Sequence, residues 1–272
     1  MAWRDPPALR GVAMGRRGRI GIVLGAAAVA LVITWWVPPV PQDPAYHRFA
    51  DARSFLGVPN ALNVLSNFAF LIAGGIGLRL VVGGAGRVAF LESRERWPWA
   101  VFFAGLVLTG LGSAWYHLVP GNVRLVWDRL PMTVAFMGLF AAMIGERIGP
   151  RAGLAVLGPL LVAGAGSVLW WHAGEQQGRG DLRAYGLVQF FPMLGIPLLA
   201  WLFPARYTHG GYWGLAVLIY AAAKGLELAD ARVLALGGVV SGHALKHLGA
   251  ALAGGVFCRM LALRALSDGG RR

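Results

Sequence analysis

The sequence predicts an all-α fold, a polytopic bundle of transmembrane helices, and three observations predict it. First, the 272 residues are 57% hydrophobic and only 14% charged, where a soluble domain carries about a quarter charged residues. Second, eight apolar segments approach or exceed the roughly 20 residues that a helix needs to cross a bilayer. Third, the basic residues behind the net charge of +13 fall mostly between those segments. That is the distribution of topology determinants, not of a nucleic-acid surface. Cys258 is the one cysteine, so neither an intramolecular disulfide nor a cysteine-based zinc site is available.

The apolar segments run near 19–37, 60–83, 98–118, 123–144, 152–171, 184–203, 211–229 and 239–263. Arg4, Arg10, Arg16, Arg17 and Arg19 precede the first and place the N-terminus in the cytoplasm. This segment is longer than a signal-peptide core and closes in TWWVPPVP, an interfacial aromatic anchor, so it reads as an uncleaved helix. The connection 38–59 holds Pro38, Pro39, Pro41, Pro44 and Pro59 and is expected to be extended and ordered only by packing. The second segment opens NALNVLSNFAFLIAG. The third ends GSAWYH, and after a VPGN turn the fourth begins VRLVWDRLPM. The seventh carries Lys224 and Glu227, with Asp230 three residues on, and the eighth opens SGHALKH. Alternation assigns Arg87, Arg94, Arg96, Arg147, Arg151, Arg206, Arg264, Arg271 and Arg272 to cytoplasmic connections. Arg48, Arg53, Arg179 and Arg232 fall outside. The bias agrees at every cytoplasmic connection, which gives eight spans with both termini in the cytoplasm. Stretches such as GGIG, GGAG and AGAG suit close helix packing in lipid, and none has the context of a phosphate loop.

Polar residues collect at one end of this bundle. Ser113, His117, Asp128, His243 and His247 all fall toward the extracytoplasmic side, and none of them entered the charge argument. Ionisable groups at membrane depth are costly and functional by default. Ser113 and His117 are four apart and share a helical face, as do His243 and His247. Three imidazoles form a zinc-ligand set that leaves the fourth tetrahedral position open for water, the layout of a catalytic site. Asp128 is the carboxylate placed to take a proton, and Arg124 or Arg129 could instead hold it in a structural ion pair. Serine is ordinary at helix contacts, and Ser113 stands out through its spacing from His117. Lys224, Glu227 and Asp230 read as a charge ladder tying the seventh helix to the bundle. Glu227 and Asn63 are further candidates to orient a ligating imidazole from behind. Lys246 points away from the two histidines beside it and is expected to snorkel or pair. His47 and His209 lie in connections and are expected to be solvated, while His172 follows Trp170 and Trp171 as an interfacial anchor.

These residues resemble the alkaline ceramidases, members of a wider superfamily of seven-span hydrolases often called CREST. The resemblance lies in Ser-x-x-x-His at the end of one span, Asp at the start of the next and His-x-x-x-His in the last. The stretch 60–74, with Asn63, Ser66 and Asn67, is also similar to the family's first span. It covers about 45–263 and implies a seven-span core plus one extra N-terminal helix. Residues 1–44 would be a cytoplasmic tail, the extra helix and a linker, 45–263 the hydrolase domain, and 264–272 a cytoplasmic tail. The roles implied are zinc binding for His117, His243 and His247, general base and then acid for Asp128, and oxyanion stabilisation for Ser113. The reaction implied is hydrolysis of a long-chain N-acyl amide such as ceramide to a fatty acid and an amine. Eukaryotic family members bind calcium through an acidic cluster before the first core span. Here that region reads DARSFLGVPN, with Asp51 as its one carboxylate and Arg53 beside it, so calcium is not expected. A glycerolipid esterase or acyltransferase using the same zinc site stays open, as does a non-enzymatic receptor-like role. A transporter would favour broken helices and repeats near mid-membrane.

Overall fold

A computed structural model describes residues 14–83 and 88–267. The expectations placed on Arg4, Arg10, Arg87, Arg271 and Arg272 lie outside the described residues. Regular structure among the described residues is helical. The elements are α1 (Arg16–Trp36), α2 (Ala61–Leu65), α3 (Phe68–Val82), α4 (Arg96–Leu118), α5 (Asn122–Arg147), α6 (Pro150–Gln176), α7 (Arg183–Leu202), α8 (Gly211–Leu228), α9 (Asp230–Gly237) and α10 (Gly242–Leu263), with two short 3-10 turns. Six stretches are long and apolar enough to cross a membrane: Arg16–Trp36, Ala61–Val82, Ser93–Leu118, Asn122–Arg147, Pro150–Gln176 and Arg183–Leu202. The chain is therefore compatible with an integral membrane protein. The last two long helices, α8 and α10, carry Lys224 and Glu227, and His243, Lys246, His247 and Arg259. Polar residues of this kind dilute the apolar signal where the candidate chemistry is concentrated.

α4 and α5 form the centre, with α3 against α4, α6 and α7 against α5, and α10 between α3 and α8. A large aromatic core of Trp99, Phe102, Phe103, Phe140, Trp213 and Phe257 fills the half away from the histidines. A smaller cluster of Tyr116, Leu125, Val126, Val168, Trp171 and Tyr185 supports the polar end. α1 packs chiefly on α7 and buries none of its residues, so Leu24, Val29, Val32 and Ile33 stay exposed, the exterior expected of a helix solvated by lipid.

Two glycines set the close approaches that matter most. Pro131 sits inside α5 and has no N–H, so the carbonyl of Trp127, four residues back, loses its helical partner. Gly112 of α4 packs on that carbonyl so tightly that a β-carbon there would collide with it. The contact brings Ser113, the next residue, up to Asp128. On the other side, Gly242 packs on the Leu226 carbonyl with no room for a β-carbon, seating the first turn of α10 against α8.

Three elements differ from the sequence expectation. The segment 60–83 is broken after α2. There the Ser66 hydroxyl donates to the Asn63 carbonyl at 3.1 Å and Asn67 Nδ2 donates to the same carbonyl at 2.7 Å, the competition with helical bonding that Ser and Asn offer. The backbone then tightens to i→i+3 bonds, Asn67 N to Val64 O at 3.2 Å and Phe70 N to Asn67 O at 3.0 Å. At the second departure, α8 stops at Leu228, and Asp230 begins a separate short helix. Asp230 thus leaves the expected ladder and accepts from His243 N at 2.7 Å and Ala50 N at 2.9 Å. Third, α10 begins at Gly242 rather than near 239. Ser241 is its N-cap, with Oγ accepting from Ala244 N at 3.2 Å, a bond that a helix N-terminus needs for its orphan donors.

Candidate metal centre

His117 lies in the last turn of α4, and His243 and His247 lie in the first two turns of α10. All three are buried, at 1%, 5% and 2% exposure. Their rings form a nearly regular triangle, with each pair of centroids 4.9 Å apart and interplanar angles of 67°, 75° and 86°. One nitrogen from each ring can be chosen so that all three lie within 4.8 Å of one another. Nε2 of His117 and Nε2 of His247 face each other at 3.3 Å. Zn–N bonds of about 2.0–2.1 Å put two tetrahedral ligand nitrogens roughly 3.3–3.4 Å apart. Buried nitrogens are left over as well: Nε2 of His243 and Nδ1 of His117 have no hydrogen-bond partner among the described residues, and buried polar atoms are ordinarily bonded to something. The donor set and its spacing therefore fit a metal ion, held by His117, His243 and His247.

The residue behind His247 is Ser66, at the α2–α3 break. Its hydroxyl proton goes to the Asn63 carbonyl, so at 2.8 Å from His247 Nδ1 it acts as acceptor. That bond assigns the ring proton to Nδ1 and leaves the Nε2 lone pair facing the other histidines, the tautomer a metal requires. Around the triad, Asn60 Nδ2 donates to the His117 carbonyl at 2.8 Å. Asp230 caps α10 at the His243 amide. Phe49 lies against the rings of His117 and His243, at centroid distances of 4.6 and 4.7 Å.

No known family model and no curated protein matches the chain. The reading of the site accordingly rests on its geometry.

Asp128 and Ser113 are both buried. With His247 they line one cavity of about 300 Å³, at the low end of ligand pockets. The same cavity runs down to Phe102, Leu106, Phe136, Ile196 and Phe257. Phe257 is ten residues beyond His247 in α10, about 15 Å of helix, so polar groups line one end and apolar side chains the other. Neither arginine pairs with Asp128 among the described residues. Arg124 lies over Trp115, 4.0 Å from the ring centroid. Arg129 donates to Gln42 Oε1 at 2.6 Å and stacks on Trp171 and Tyr185.

The other sequence candidates fall into place differently. Glu227 does not reach an imidazole: its carboxylate bonds Lys224 and lies 3.3 Å from Lys246 Nζ. Lys246 thus pairs. The Asn63 side chain donates to the Asp51 carbonyl at 3.1 Å, and it is the backbone carbonyl of Asn63 that supports His247, through Ser66. His47 is half-buried rather than solvated, with Nδ1 on Tyr116 OH and Nε2 on Asn122 Oδ1, both at 2.9 Å. The prolines before it do not leave the connection loose, because polar groups on α4 and α5 hold it down. His209 is exposed. Asp51 accepts from Arg53 on both oxygens, at 2.7 and 2.8 Å, and the Arg53 guanidinium holds its carboxyl below the usual carboxylate range. Arg53 then clasps the carbonyls of Gly238 and Val239 at 3.1 and 2.6 Å, just before α10. Ser66 as a ring partner and Phe49 as a cover were not identified from sequence. The available signal for Ser66 was a polar residue three positions after Asn63 in an apolar run.

Proposed function

We propose that the chain is a zinc-dependent integral membrane hydrolase that cleaves the amide bond of ceramide-like N-acyl lipids to a fatty acid and an amine. It would have eight spans, both termini cytoplasmic, and its triad toward the extracytoplasmic side. The observation that carries this reading is the buried triad of His117, His243 and His247 beside an amphipathic cavity that also holds Asp128 and Ser113. A bound divalent ion would supply Lewis acidity and a more acidic water. The chain's own groups do the rest. Asp128 takes the proton of the attacking water as its oxygen bonds to the carbonyl carbon. The same carboxyl then gives that proton to the nitrogen as the carbon–nitrogen bond breaks, so the amine leaves neutral. The Ser113 hydroxyl, which lines the same cavity, donates to the carbonyl oxygen as charge builds there. The apolar length of the cavity holds the acyl chain and excludes water.

Purified protein in detergent, incubated with N-palmitoyl amides and matched esters, tests this. Fatty acid is expected from the amide, and Asp128→Asn should slow release by about 10²–10⁴-fold with zinc content unchanged. Cleavage of the ester alone would move the reaction to the esterase alternative. Cleavage of neither, with zinc bound, would favour the receptor-like one.

A further inference from the structure

The cavity wall carries more positive than negative charge. Its ionisable side chains, from every element that faces it, are Asp128 and Arg129 on α5, Lys224 and Glu227 on α8, and Lys246 on α10, besides His247. Glu227 is shared by two ammonium groups, being hydrogen-bonded to Lys224 and 3.3 Å from Lys246. Among the described residues Arg129 has no carboxylate partner: one terminal nitrogen bonds the neutral Gln42 side chain at 2.6 Å, and its other, Nη1, is buried with no hydrogen-bond partner. The residue is only 5% exposed. Trp171 and Tyr185 stack on the guanidinium and offset part of its charge, but ring faces leave the Nη1 donor unmade. Buried cations are ordinarily paired, and guanidinium matches carboxylate and phosphate. A divalent ion at the histidines would add to this surplus.

We propose that the cavity takes a lipid whose polar end carries an anionic group, a carboxylate or a phosphate, bound by Arg129 and Lys246. The inference rests on the hydrolase reading of the same site and narrows its substrate to anionic N-acyl lipids over neutral ones. The apolar end takes the hydrocarbon chain, and the anion meets the Arg129 side chain and the half-neutralised Lys246, both of which line the cavity.

Ligands with no bond to cleave keep this test separate from hydrolysis. Three hexadecyl ethers share one chain and differ at the polar end: hexadecyloxyacetate, 2-hexadecyloxyethyl phosphate and the neutral 2-hexadecyloxyethanol. Their dissociation constants are measured by titration calorimetry on the full-length, metal-loaded protein in a non-ionic detergent. At least one anionic ether should bind about tenfold or more tighter than the alcohol, as a charge-assisted contact provides. Arg129→Gln or Lys246→Gln, on different helices in case one variant does not fold, should cut that ratio to about threefold or less. A stronger phosphate preference assigns a phospholipid-type head group, and a stronger carboxylate preference an N-acyl amino acid. Equal binding of all three ethers by the wild type would overturn the proposal. So would a ratio that survives in the variants, which would mean that the ion at the triad holds the anion. Failure of any amide to be cleaved would remove the amidase reading and leave the binding ratios to decide the anion preference on their own.

Discussion

Ser66 is the residue on which the metal account turns most quietly. It fixes the proton of His247 on Nδ1, and without it the ring can turn or present the wrong nitrogen. Ser66→Ala should therefore leave the fold intact and weaken zinc binding by about 10–100-fold, read by competition with a chromophoric chelator. Unchanged affinity would remove Ser66 from the account. The histidines, Ser113 and Asp128 were legible in the sequence because helical spacing declares a shared face, and because polar residues stand out in apolar runs. The Ser66–His247 bond was not legible. It joins residues 181 positions apart, and it depends on a local helix break that hydropathy smooths over. Glu227 was legible only in part, for a related reason. Spacing showed that it shares a face with Lys224, but not that Lys246, from α10, would take up its second oxygen.

At the scale of elements, the connection 38–59 is less independent than its prolines suggest. Asp51, Arg53, His47 and Phe49 pin it over the histidines, and Arg53 ties it to the turn before α10. The Asp51 carboxyl is held below its usual value by Arg53, so the proton favours the state in which the pair is broken. The pair contributes its full stability above the unfolded carboxyl value of about 3.9 and loses it as pH falls through the lower folded value. Hydrogen exchange through 48–60 should match between wild type and Asp51→Asn below that range, and be slower in the wild type at pH 7. Equal exchange at pH 7 would show that the clasp contributes nothing. The long helices themselves were legible, since a span needs only length and apolarity. The separation of α8 from α9 was not, because Asp230 is drawn off by the His243 and Ala50 amides, partners that sequence periodicity does not contain.

For the whole molecule, the proposed orientation puts the connection after α6 outside and the connection after α7 inside. Cys258 is the one native cysteine, so Cys258→Ala gives a clean background for mapping. In intact cells a membrane-impermeant maleimide should label Gln177→Cys at once, and His209→Cys only after permeabilisation. The reverse pattern would turn the bundle over and put the triad on the cytoplasmic side. α1 packs chiefly on α7 and buries none of its residues, and it lines no part of the cavity.

The central claim is that three buried imidazoles from α4 and α10 enclose one metal ion, and elemental analysis of purified protein tests it most directly. Wild type should carry about one zinc ion per chain, with His247→Ala, folded by circular dichroism and monodisperse in detergent, reduced to about a tenth of that or less. A wild-type protein that stays free of metal after equilibration with zinc, or a His247→Ala variant that keeps the full complement, would contradict the account.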